Sequence, residues 1–346
     1  MCIKFNQIPI LILLILPFQQ SKAQDSKLLI DKPGTTKIVN NGVYGEGLDS
    51  YNQKCVYTKL ETDANYKKLL GLIDIFRINP VLAEQKGYDG IVLLGNGRCN
   101  SKFGYGIPST ICFMFEQWRL RNGKVAKQTS EPPQWRFEVN MTEKFCSNGF
   151  NMNNYSNAYN PTNSAFSSEG MDKATFALRE IFYLPGIKKD VSPGIDRYGD
   201  VVVIFNPDRP SYWVHVTIRE VLRLMTDYWK LIPNKIEMET MMSYLEKEFS
   251  KFLETEKDGF AYLGNPEYIF RIGSTKNETP VMRPNPEYWN RNLPRSAIQF
   301  MVLEIPPKEV VKNKMDDRWK RQDGYYYVSR LLYELDVKAL LPAISH

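Results

Sequence analysis

Histidine is almost missing from this chain of 346 residues, which holds only His215 and His346. That excludes the H-E-x-x-H pattern of zinc proteases, whose two imidazoles must sit one helical turn apart. It also argues against any metal site built from several histidines, so no metal is expected. The sequence further lacks a G-x-S-x-G elbow, a Ser-x-x-Lys pair, a phosphate-cradling G-x-x-x-x-G-K loop and a calcium-binding EF loop. No cofactor is indicated. Long apolar runs are missing as well: the best, Ile8 to Phe18, is about half of the ~20 residues that a bilayer crossing requires. No repeat of 20 to 50 residues is visible, which counts against solenoids and propellers.

Charge of one sign is also scarce. The net charge is +6, and two of the lysines behind it, Lys4 and Lys22, fall in the apolar leader. Nucleic-acid binding usually shows a concentrated basic stripe. The best cluster, Lys308 to Arg321, is interleaved with Glu309, Asp316 and Asp317, so it reads as a solvated helix face and no nucleic-acid partner is expected.

What is present begins with that leader. Lys4 precedes the apolar core, and Ser21 and Ala23 are the small residues signal peptidase accepts, which places cleavage before Gln24. Cys2 is too far from that point to carry a lipid. Residues 1–23 thus read as a signal peptide, and the mature chain is expected to be secreted or periplasmic, without a membrane span. Its length suits one large domain or two at roughly 150 residues each.

Four cysteines lie beyond the leader, Cys55, Cys99, Cys112 and Cys146. In an oxidising compartment an even count reads first as two disulfides. A zinc site prefers closer ligand pairs, and buried thiols are the other alternative. Of the three possible pairings, Cys99–Cys112 nested inside Cys55–Cys146 closes around one candidate sheet. A loop of about 15 residues is worth roughly 3 kcal/mol when closed in this way.

Periodicity supplies the elements. Thr62 or Asp63 is placed to cap a helix carrying Leu69, Leu72, Ile73 and Phe76, stopped by Pro80. Ile91 to Leu94 reads as a buried strand. Ile111 to Arg121 and Lys124 to Thr129 flank Asn122-Gly123, the preferred pair for a tight hairpin turn. Trp135, Phe137 and Val139 alternate into a further strand. Residues 147–170 are rich in Asn and Ser, a long loop or linker that separates a β-rich half, 24–146, from an α+β half, 171–346; one continuous domain with an excursion is an equal alternative.

Beyond it, Asp172 can cap a short helix, and Asp200 to Phe205 reads as a buried strand. Thr217 and Glu220 match a capping box, with Val216 and Val221 as its hydrophobic staple. Asn234 and Glu237 repeat the pattern, which predicts an αα-hairpin over about 217–257. Residues 264–295 hold five prolines, so a second long loop is expected there. Gln299 to Ile305 returns as a strand, and Val328, Leu331, Leu332 and Leu335 mark a last helix before Asp336 caps a final turn. The fold class is α+β, with mixed or antiparallel sheets and packed amphipathic helices.

Chemistry has few candidates. His215 lies just before a helix start, where unpaired backbone donors disfavour an imidazolium. A neutral imidazole there could act as a base beside an anion site, with Tyr212 and Trp213 as a stacking surface; the ordinary alternative is a strand-end histidine packed under a helix. Asp196, Asp200, Asp208, Glu267, Glu278 and Glu287 supply carboxylates, but no spacing singles out a pair. Tyr288-Trp289, the triplet Tyr325 to Tyr327, Trp118 and Trp135 are further platforms, or core. The expectation is an exported protein that binds a glycan, a peptide or an envelope partner through loops 147–170 and 264–295. The alternative is an extracytoplasmic hydrolase of envelope or nutrient polymers.

Overall fold

The computed structural model describes residues 26–40, 46–48, 54–97, 104–127, 131–141, 182–183, 188–230, 234–263, 272–273, 279–320 and 323–346. The expected leader, the Asn-rich segment 147–170, the helix expected after Asp172, Cys99, Cys146, Glu267 and Glu278 lie outside these residues.

The described chain opens with β1 (Ser26–Leu28) and β2 (Thr36–Asn40), and β3 (Glu46–Leu48) pairs with β4 (Lys54–Val56) as a small ribbon. Helix α1 (Lys59–Arg77) and the one-turn α2 (Pro80–Ala83) follow. Thr58, not Thr62 or Asp63, caps α1: its hydroxyl accepts from Glu61 N at 3.2 Å while Glu61 Oε2 accepts from Thr58 N at 2.8 Å. This reciprocal box satisfies two donors at once, so it outcompetes the later start. Pro80 ends α1 and, having no N–H to lose, serves as the first residue of α2.

Next come β5 (Tyr88–Asn96), β6 (Ser109–Arg121), β7 (Lys124–Lys127) and β8 (Gln134–Val139). Asn122 and Gly123 both have positive φ, 49° and 71°, the type I′ geometry that matches strand twist. Beyond the undescribed stretch lie β9 (Phe182–Tyr183), β10 (Lys188–Ser192), β11 (Ile195–Tyr198), β12 (Val201–Phe205) and β13 (Trp213–His215). Helices α3 (Ile218–Trp229) and α4 (Lys235–Phe249) form the expected αα-hairpin. Strands β14 (Tyr262–Leu263), β15 (Ile272–Gly273), β16 (Thr279–Pro284) and β17 (Phe300–Glu304), then α5 (Lys308–Lys320) and α6 (Tyr325–Glu334), complete it.

Ten strands share one mixed sheet, ordered β10-β11-β12-β17-β8-β6-β5-β2, with β1 and β7 also paired to β6. Only β2–β5 is parallel among its pairings. Met301 lies opposite Val139, so chain from either side of 147–170 meets in this sheet. One face carries Val92, Phe113, Phe137 and Met301 against α1, α2 and α6; the other carries Val203, Phe300 and Val302 under Tyr212, Trp213, Tyr288 and Trp289. A second sheet, β13-β16-β14-β15 with β9 on β16, supports the αα-hairpin through Val216, Val221, Trp229, Leu245 and Val281.

The loop expected over 264–295 is in part this second sheet. Pro280 and Pro284 sit near the two ends of β16, where no ladder donor is demanded of them, and Val281 donates to Ala261 O at 3.0 Å. Of the expected Cys99–Cys112 bridge only Cys112 is described; its sulfur lies 3.3 Å from Gln134 Oε1 across the β6–β8 pair. Cys55 is buried beside Tyr57 and Ile107, and its expected partner Cys146 lies outside the described residues.

Candidate functional site

His215 ends β13, exposed, with its ring stacked on Phe260 at 4.2 Å between centroids and 16° between planes. Partial burial pushes its pKa below the ordinary imidazole value. The anion site expected beside it is filled by protein. The first four N–H groups of α3 go to Gly259 O (3.0 Å), Lys257 O (2.8 Å), Thr217 Oγ1 (3.1 Å) and Thr217 O (3.0 Å). The loop after α4 returns over this helix start and spends the donors that sequence spacing left open. Half of the expected capping box survives: Thr217 caps, but the Glu220 carboxylate turns away to Arg283 on β16.

Tyr212 and Trp213 are 6% and 3% exposed, a correction to their expected place on a stacking surface. The short β13 lies over the main sheet, and both rings pack edge-on against Phe300 or its neighbours. The Tyr212 hydroxyl donates to Asp196 and lies 2.9 Å from the Tyr198 hydroxyl, while Lys188 Nζ is 3.1 Å from Asp196 Oδ2. Burial, then Tyr198 and Asp196, push the Tyr212 phenol strongly upward, so it stays a donor at any ordinary pH. This is a structural polar cluster beneath the second sheet.

The other candidates scatter. Asp200, Asp208 and Glu287 are exposed, and among the described residues no three His, Cys, Asp or Glu converge as a metal site. An apolar hollow of about 280 Å³, lined by Pro193, Phe205, Leu341 and Ile344 among others, gathers neither His215 nor a carboxylate pair. Of the six tryptophans, Trp135, Trp213, Trp229 and Trp289 are buried, and Trp118 lies between Lys32 and Lys127, 4.3 and 5.2 Å from its ring centre.

Trp319 is the exception, 48% exposed near the end of α5. Its indole lies 4.7 Å from the Tyr326 ring on α6. Helical spacing sets Lys308, Lys312 and Met315 on the same face of α5 as Trp319, and Arg330 and Tyr333 on the same face of α6 as Tyr326. The two faces adjoin at the far end too, where Lys308 Nζ lies 5.8 Å from the Tyr333 ring centre. The seam is backed by the core, because Tyr326 packs edge-on against Tyr327, which meets Tyr88 at 4.2 Å. Burial and the neighbouring Tyr326 push Tyr327 up to about 12. Beside the turn, the Arg318 guanidinium lies 4.8 Å over Tyr325, itself 43% exposed.

Along the chain the basic cluster and the tyrosine triplet stand apart. The antiparallel packing of α5 on α6 brings them together; i, i+4, i+7 spacing of Lys308, Lys312, Met315 and of Tyr326, Arg330, Tyr333 was the signal available. No family model, no curated protein and no solved structure matches the chain.

Proposed function

We propose that this is an exported binding protein that holds a glycan, a peptide or an envelope partner on the α5–α6 seam. The observation that carries the proposal is Trp319, an exposed indole seated on Tyr326 in a chain that otherwise covers its tryptophans. Aromatic rings with one face open offer large contact area at small entropic cost, and core packing under Tyr326 holds the platform in place before a ligand arrives. Export is supported by Lys4, the apolar run Ile8 to Phe18, and Ser21 and Ala23 at the cleavage point. The even count of cysteines beyond the leader accords with an oxidising compartment.

A screen of the mature protein on glycan and peptide arrays, repeated with Trp319→Ala, tests the reading. We expect retained folding and at least a tenfold loss of whatever binding the unsubstituted protein shows. Binding that survives Trp319→Ala unchanged overturns the seam as the site. Turnover of a polymer in a parallel hydrolase screen, lost on replacing a carboxylate or His215, replaces binding with hydrolysis.

A further inference from the structure

We infer that Lys188 and Asp196 condense into an isopeptide bond, an internal amide that ties β10 to β11 independently of anything held at the seam. Strand register brings the two side chains together. Lys188 lies opposite Tyr198, and Asp196 is two residues from Tyr198 along β11, so Lys188 and Asp196 are diagonal neighbours on one face of the sheet, within reach of a long side chain. The Lys188 Nζ lies 3.1 Å from Asp196 Oδ2, the separation at which groups held by a fold begin to react.

Two observations set this contact apart from an ordinary ion pair. Asp196 is 2% exposed beneath the Tyr212 and Trp213 layer, and a carboxylate stripped of water is costly to keep charged. The Tyr212 hydroxyl donates to the same Oδ2, with the Tyr198 hydroxyl 2.9 Å behind it. Burial keeps that phenol protonated at any ordinary pH, so a donor is always present on the oxygen that has to leave. Other lysine–carboxylate contacts lack one feature or the other. Lys59–Asp63 and Lys235–Glu239 are exposed on both sides, and Lys251 meets the buried Glu248 with no hydroxyl on that carboxylate among the described residues.

In the step itself Lys188 Nζ attacks Asp196 Cγ. The N–C bond forms as the Cγ–Oδ2 bond breaks, and Oδ2 leaves as water with two of the three ammonium protons. One ammonium and one carboxylate become a neutral amide and a water, so nothing is oxidised and no co-reactant is consumed. Condensation removes both charges from a place that solvates the carboxylate poorly, and holding the partners in contact raises their effective concentration far above that of free groups. The gain falls at a weak point of the fold: β10 is the end strand of the ten-stranded sheet, paired along one side only, and a bond to β11 keeps that edge from peeling away.

Mass spectrometry of the purified protein, intact and after trypsin, tests the bond, with Lys188→Met and Tyr212→Phe beside the unsubstituted chain. We expect a mass short by one water and a single branched peptide that joins the segment ending in Lys188-Lys189 to the segment containing Asp196. Lys188→Met, at a half-exposed position that folding tolerates, should restore the full mass, and backbone amides of β10 should then exchange hydrogen at least tenfold faster. In Tyr212→Phe the branched peptide should accumulate at least tenfold more slowly after refolding. Two separate peptides of unmodified mass from the folded, unsubstituted protein overturn the inference. A missing water that persists in Lys188→Met, with the peptides still separate, marks a cyclised aspartate and overturns it as well. Equal rates in Tyr212→Phe and the unsubstituted chain overturn the part given to the phenol.

Discussion

The His215 imidazole lies flat on Phe260 and gives up water on that side. Its folded pKa is lowered by burial, so the folded state binds fewer protons than the unfolded one. The stabilising effect of the neutral ring is therefore complete above the unfolded value, about 6.5, and is lost as pH falls through the depressed folded value. We expect the difference in thermal midpoint between the native protein and His215→Gln to be constant above about pH 7 and to shrink on acidification; a difference independent of pH contradicts the assignment. Tyr212→Phe removes two hydroxyl contacts around the buried Asp196. Urea denaturation should register a loss of about 1–3 kcal/mol, with ligand binding at the seam untouched. Residue roles were the least legible part of the sequence. Tyr212 and Trp213 are the same side chains whether they face solvent or core, and only the placement of β13 over Phe300 decides between these. His215 was visible as a lone imidazole, but the carbonyls of Lys257 and Gly259 that fill its helix start come from some forty positions further along the chain.

Helices announced themselves through local hydrogen-bonding chemistry. Asn234 accepts from Glu237 N at 3.3 Å and Asp336 from Lys338 N at 3.0 Å, both where spacing placed them. Thr217→Ala should cost about 1 kcal/mol, read as a shift in urea midpoint at unchanged slope; Glu220→Gln tests a different contact, since its carboxylate belongs to Arg283 and not to the cap. Strands were legible where alternation was clean, as at Trp135, Phe137 and Val139, which are 7%, 0% and 0% exposed. Strand β16 was hidden because its prolines signal a loop, and nothing local reveals that Pro280 and Pro284 fall at positions with no donor to give. The seam was hidden for a different reason: α5 buries only Val311, so its face toward α6 has no strong apolar stripe to announce a partner.

At the scale of the whole molecule, class could be read and connectivity could not. Alternating strand and helix patterns gave α+β, yet nothing in Gln134 to Val139 says that one of its neighbours is Phe300 to Glu304. We expect peptide mapping under non-reducing conditions to find Cys55 joined to Cys146. A Cys55–Cys99 peptide instead would refute that pairing. Reduction of a Cys55–Cys146 bridge, which closes a loop of about 90 residues, should lower stability by roughly 4.6 kcal/mol.

The junction of β8 with β17 sets a timetable for biogenesis. Val139 waits for Met301, and at 5–20 residues per second a ribosome takes roughly 8–30 s to deliver it. Throughout that interval the middle of the sheet presents an open hydrogen-bonding edge to its surroundings. Until Met301 arrives, the strands already delivered can pair among themselves, but the β8 side of that partial sheet needs a temporary cover.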